Sequence, residues 1–168
     1  GVRGVMKQRH RIACVVNPYS GNGRTARKWP ELAELIQKQI GPFKFLQTQG
    51  PGDATHLVQQ ALRDGYDRII SVGGDGTILR AARIIFPLEI PIVGVNFGNL
   101  GFMTELEAEE ARDKLVEIIG GAGWIEERAV LQAVVRSSGN TYHALNDVVI
   151  GRGRFLRLVN VEVAIDGE

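Results

Sequence analysis

The run Arg68-Ile69-Ile70-Ser71-Val72-Gly73-Gly74-Asp75-Gly76-Thr77-Ile78-Leu79-Arg80-Ala81-Ala82-Arg83 passes from an apolar strand pattern, through three glycines, into helix-forming residues. A buried strand that enters a helix through bare backbone arranges N–H groups around an anion, and the helix dipole adds positive potential. Asp75 sits in the middle of this loop. A carboxylate there repels phosphate unless it holds a metal or takes a proton from an attacking hydroxyl. Phosphoryl transfer needs both tasks done. Gly-Gly-Asp-Gly is also good turn chemistry, since glycine allows positive φ and aspartate caps helices. The full Gly-Gly-Asp-Gly-Thr at a strand-to-helix junction favours a phosphate site. It is not a Walker loop, because no Gly-Lys-Ser/Thr follows, nor the dinucleotide Gly-x-Gly-x-x-Gly.

Outward from this loop, residues 12–105 alternate strand and helix patterns. Ile12–Val16 reads as a short apolar strand ended by Asn17-Pro18 and the loop Tyr19-Ser20-Gly21-Asn22-Gly23. A helix is predicted over about Thr25–Ile40, with Leu32, Leu35, Ile36 and Ile40 on one face and Gly41-Pro42 closing it. Phe43–Gln47 is a second strand. Asp53 follows a turn and is placed to cap a helix carrying Leu57, Val58, Ala61 and Leu62. Strand Arg68–Val72, a helix to Phe86 and strand Pro91–Val95 complete the series. This order implies an α/β fold, a Rossmann-like parallel sheet flanked by helices. Ligands in such sheets bind at the carboxyl ends of strands. The loops 17–23, 73–77 and 96–101 all follow strands, so they should share one edge.

The pattern changes after a helix over Glu107–Gly120. Glu127–Arg136 and Thr141–Ile150 read as paired strands joined by Ser137-Ser138-Gly139-Asn140, and Leu156–Ile165 as a third strand. Asp166-Gly167 begins another turn one residue before the last. We expect an α/β nucleotide- and phosphate-binding domain over 1–122 and the start of a truncated antiparallel β domain over 123–168.

The 168 residues suffice for one full core, or for one domain and part of another. With 20 basic and 19 acidic side chains, overall charge gives no argument for nucleic acid or membrane. Arg24, Arg27 and Lys28 face either a phosphate or only solvent. Cys14, the single cysteine, excludes an internal disulfide and a cysteine zinc cluster, and reads as a buried small hydrophobe. His10, His56 and His143 show no metal spacing, so no metal ligands are assigned. No apolar run approaches the length of a membrane span, and residues 1–11 lack a signal-peptide core. A cytoplasmic location is expected.

Gly73-Gly74-Asp75-Gly76-Thr77 resembles the signature shared by the NAD kinase and diacylglycerol kinase superfamily. Gly94-Val95-Asn96-Phe97-Gly98-Asn99-Leu100-Gly101-Phe102-Met103-Thr104 and Ala144-Leu145-Asn146-Asp147-Val148-Val149-Ile150 are similar to NAD kinases in particular, in family order. The resemblance implies a kinase that phosphorylates the 2′-hydroxyl of the adenosine ribose of NAD to give NADP. It implies that Asp75 activates that hydroxyl and that Gly74, Gly76 and Thr77 shape the phosphate loop. Leu79 and Phe102 would line the dinucleotide pocket, and Asn146 and Asp147 would bond its adenine and ribose groups. ATP, or polyphosphate in some members, would be the donor, with Mg²⁺ or a similar divalent metal. Full-length members of the family resemble one another in forming homo-oligomers.

Each assignment has a plainer counterpart. Phe102 also suits a core aromatic, Thr77 a helix cap, and Asn146-Asp147 a bulge in a strand. The N-terminal part differs from the NAD kinase pattern. Val16–Gly23 and Thr48-Gln49-Gly50-Pro51-Gly52-Asp53-Ala54 look more like diacylglycerol and sphingoid lipid kinases, whereas Ile78–Arg83 follows the NAD kinase form. The chain also ends before the family's Thr-Pro-Thr-Gly-Ser-Thr-Ala-Tyr stretch, which helps close the dinucleotide site. A lipid kinase and an inactive nucleotide-binding fragment are therefore the competing readings.

Overall fold

The computed structural model describes residues 10–98, 101, 103, 106–151 and 162–165. The chain divides into two compact units, one ending at Glu127 and one beginning at Arg128.

The first unit is built on a five-stranded sheet. In chain order its elements are β1 (Ile12–Val16), α1 (Arg24–Gln39), β2 (Lys44–Gln47), α2 (Asp53–Arg63), β3 (Arg68–Val72), α3 (Asp75–Ile85), β4 (Ile92–Asn96), β5 (Leu106–Glu107) and α4 (Ala108–Ile119). The strands are all parallel and lie in the order β2-β1-β3-β4-β5. All five residues of β1 are buried, as an unbroken apolar run in a central strand requires. Their side chains alternate between two layers. Ile12, Cys14 and Val16 join Trp29, Leu32 and Ile36 of α1 and Ala111 and Leu115 of α4. Ala13 and Val15 join Ala54, Val58 and Ala61 of α2 and Ala81 and Ile85 of α3. Burying a side chain the size of Ile36 or Ile70 stabilises by roughly 2–3 kcal/mol, so these layers hold the sheet.

The expected helix face on α1 needs one addition. Trp29 is also buried, stacked on Phe45 at 5.4 Å and meeting Phe43 edge-on at 5.9 Å. This packing carries α1 through Pro30, which supplies no N–H to the helix ladder. Burial of Cys14 pushes its thiol pKa up, so it behaves as the small hydrophobe that was expected. The short strand β5 lay inside what reads in sequence as loop and helix start.

The second unit contains an antiparallel hairpin of β6 (Leu131–Val135) and β7 (Asn140–Ala144). Its turn falls where the glycine predicts it: Gly139 has φ +71°, and its N–H donates to Val135 O at 2.8 Å. The strands are shorter than the sequence pattern implies, because the backbone bends at Leu145-Asn146 and residues 147–151 lie in no strand. Of the expected third strand, residues 156–161 lie outside the described residues and 162–165 form no strand.

Candidate functional site

α1 and α4 cover one face of the sheet, and α2 and α3 the other. The chain therefore leaves β1 toward one face and leaves its neighbour β3 toward the opposite face. A crevice opens where such connections diverge, at the carboxyl ends of the two strands. Both glycine-bearing loops start there at one level. The Asn17 N–H donates to Val72 O at 2.8 Å, and the Gly73 N–H donates to Val95 O at 2.9 Å.

The three loops expected to share an edge do meet. A Cβ on Gly73 would collide with the Thr77 hydroxyl and lie 3.3 Å from the Asn17 Cβ, so the β3 loop packs on the β1 loop. A Cβ on Gly98 would lie 3.2 Å from the Gly21 Cα, which joins the β4 loop to the β1 loop. Gly21, Asn22 and Gly23 all have φ between 55° and 77°, a left-handed run that brings this loop back over the strand ends. The β4 loop also reaches Asp75. The Met103 N–H donates to Asp75 Oδ1 at 3.2 Å, and Gly101 lies against the same carboxylate.

Asp75 is the first residue of α3 and is half-buried. The N-cap is Gly74, and no side chain caps the helix. Thr77 therefore does not cap α3. It lies within the first turn, buried, with its N–H donating to Gly74 O at 2.9 Å. Asp53 likewise does not cap α2. Its Oδ2 turns back to accept the N–H groups of Gln49 and Gly50, at 2.8 and 2.9 Å, and so shapes the loop after β2.

That loop forms one wall of a cleft of about 430 Å³. Asn17 and Tyr19 of the β1 loop, Thr48–Pro51, Ala54 of α2, and Thr77 and Arg80 of α3 line it. Arg80 is exposed and supplies positive charge. Sequence reasoning singled out Thr77 but not Arg80 or Thr48. The signal was present in the 17–23 and 48–54 stretches, which were read as a likeness and not as two walls of one space.

The remaining assignments are scattered. Leu79 is half-buried on α3 and does not line this cleft. Phe102 lies outside the described residues. Asn146 and Asp147 belong to the second unit, just past β7, both exposed, with Asn146 Nδ2 donating to Asp147 Oδ1 at 2.9 Å. Arg24, Arg27 and Lys28 are exposed on α1, and none of them lines this cleft. His10 pairs with Asp67 at 3.3 Å at the amino ends of the strands, far along the sheet from the glycine loop. Among the described residues no group of three or more metal-ligating side chains occurs, and no helix is long and apolar enough to cross a membrane.

Residues 5–122 match the ATP-NAD kinase N-terminal domain. The chain belongs to the NAD kinase family. A NAD kinase of Chloroflexus aurantiacus is 37% identical over 160 residues, which cover 93% of this chain and 55% of that protein. A NAD kinase of Dehalococcoides mccartyi is 44% identical over 104 residues, covering 60% of this chain and 37% of that one. This NAD kinase family chain thus spans about half the length, or less, of these relatives. Among solved structures, a diacylglycerol kinase from Bacillus anthracis str. Sterne is 26% identical with a TM-score of 0.46, over 56% of this chain and 32% of that one.

Proposed function

We propose that the protein is an ATP-dependent NAD kinase acting on the 2′-hydroxyl of the adenosine ribose, with Asp75 as general base. One observation carries the reading: the stretch similar to NAD kinases is the one that presses on Asp75, through Gly101 and the Met103 N–H. The acceptor is thereby assigned to the Asp75 side of the crevice.

The lipid-kinase-like stretches line the other side. Asn17, Tyr19 and Thr48–Pro51 face the cleft with Thr77 and Arg80. We assign this cleft to the phosphoryl donor, which both kinase types require. The N-terminal likeness then speaks to the donor and leaves the acceptor to residues 96–104 and 144–150. Arg80 offsets donor charge, and the backbone N–H groups of Gly74 and Gly76 donate to phosphate oxygens at the head of α3.

The chemistry balances simply. The ribose hydroxyl proton passes to the Asp75 carboxylate as its oxygen bonds to the γ-phosphorus. The bond from that phosphorus to the β–γ bridging oxygen breaks, and ADP leaves. A divalent ion such as Mg²⁺ is compatible with this residue set, since it is commonly held by substrate phosphates with one or two carboxylates, and Asp75 is the carboxylate within the loop. When bound it neutralises donor charge. Asn146 and Asp147 are assigned to the adenine and ribose groups, Leu79 and Phe102 to the dinucleotide pocket, and the complete protein to a homo-oligomer, which sedimentation at varied concentration tests.

The deciding experiment supplies ATP, Mg²⁺ and NAD and measures NADP, with Asp75→Asn beside the natural protein. NADP formation abolished by the substitution is expected. Phosphorylation of diacylglycerol or a sphingoid base, with no NADP, would replace the reading by the lipid one.

A further inference from the structure

We propose that the backbone at Gly101 and Met103 positions the Asp75 carboxylate and acts as a mould for the base. The proposal rests on the reading of Asp75 as that base.

An aspartate at the first position of a helix has alternatives. Its side chain can rotate about χ1 and χ2, and nearby first-turn N–H groups compete for its oxygens. Two restraints of different kinds act on Asp75. A Cβ built on Gly101 would overlap both carboxylate oxygens and the Cγ, so the carboxylate fills the space a side chain at 101 would occupy. The Met103 N–H adds a directional hold on Oδ1 at 3.2 Å. One restraint is steric, the other is a charge-assisted hydrogen bond.

The described residues on either side of Gly101 and Met103 are held in place. Before them, Asn96 Oδ1 accepts the Gly98 N–H at 2.8 Å, and Gly98 packs on the Gly21 backbone. After them, β5 pairs with β4 through Val95↔Leu106 and Asn96↔Glu107. A general base must lie within about 2.6–3.2 Å of the proton it removes. A misplacement of about 1 Å can cost a reaction roughly 100-fold. Gly101 does not have a left-handed φ, so alanine there is opposed by the carboxylate and not by its own backbone.

The test compares Gly101→Ala and Asp75→Asn in the protein form that makes NADP. Gly101→Ala is expected to lower kcat roughly 100-fold, with the KM values for NAD and ATP within about twofold. Should that variant fold poorly, replacing Met103 by its α-hydroxy acid removes the N–H alone and is expected to lower kcat about tenfold. A third measurement needs no turnover: Asp75→Asn should move the Met103 amide proton resonance upfield by more than those of Ile70 or Val95. An unmoved Met103 resonance, or a Gly101→Ala protein with unchanged kcat beside an inactive Asp75→Asn, overturns this proposal alone. Full activity in Asp75→Asn overturns the base reading, and this proposal with it.

Discussion

β3 and β6 are both five-residue strands with mostly apolar side chains, yet four residues of β3 are buried and none of β6. The difference lies in what surrounds them. β3 lies between β1 and β4 with helices on both faces, whereas among the described residues β6 pairs with β7 alone. Leu131, Val134, Val135 and Tyr142 are all exposed. Apolar alternation specifies which side of a strand can be covered; only neighbouring layers turn that into a core. The candidate chemistry follows the same division. Asp75 grows from the end of a buried strand, while Asn146 and Asp147 follow an exposed hairpin.

The largest effect expected is on turnover. Asp75→Asn should lower kcat by about 10³-fold, within the usual range for losing a general base. Asn146→Ala should act mainly through the KM for NAD, by about tenfold, as loss of a binding contact does. Steady-state kinetics decides, and equal kcat losses at both positions would erase the contrast between chemistry and recognition.

The next expectation concerns stability. Ile70→Ala in β3 should cost about 2–5 kcal/mol, and Val134→Ala in β6 within about 0.5 kcal/mol, measured by urea unfolding. Matching values would mean that β6 is covered in solution. Amide exchange sharpens the same point more gently. N–H groups of β3 should exchange only with global opening of the first unit, and those of β6 by local opening.

The smallest effect lies at the amino ends of the strands. Burial acts to raise the Asp67 pKa, but the His10 hydrogen bond, the Arg11 N–H and the charge of Arg68 outweigh it and hold the carboxyl below its usual value. A depressed folded pKa contributes stability that is present above the unfolded value, about 4, and is lost as pH falls through the folded one. Asp67→Asn should therefore flatten the acid limb of a stability–pH curve slightly, leaving neutral pH little changed. A steeper acid limb in the variant would refute this sign.

The sheet was legible because its signals are local. Ile12–Val16 and Arg68–Val72 are unbroken apolar runs, and glycine loops mark their ends. The common edge of the three loops followed from strand direction alone. Contacts between loops were not legible, since nothing in Gly101 or Met103 announces that the Asp75 carboxylate lies against the one and accepts the N–H of the other. Asp53 reads as a cap, as does Thr77 in its plainer reading, and neither is one, for a related reason. Their residue types suit an N-cap, but the chain enters each helix one or more residues earlier, at Gly74 and Gly52. In the hairpin, alternation overran the true strands because β-propensity reports a fitting surface, not the presence of a partner.

The aromatic stack under α1 gives the molecule a built-in optical gauge. Trp29 is enclosed by Phe43 and Phe45, while Trp124, the other tryptophan of the chain, is 90% exposed. Trp29 should emit toward the blue and resist acrylamide, and Trp124 should emit toward the red and quench at once. Loss of the blue component then reports the moment α1 lifts from the sheet, without any label.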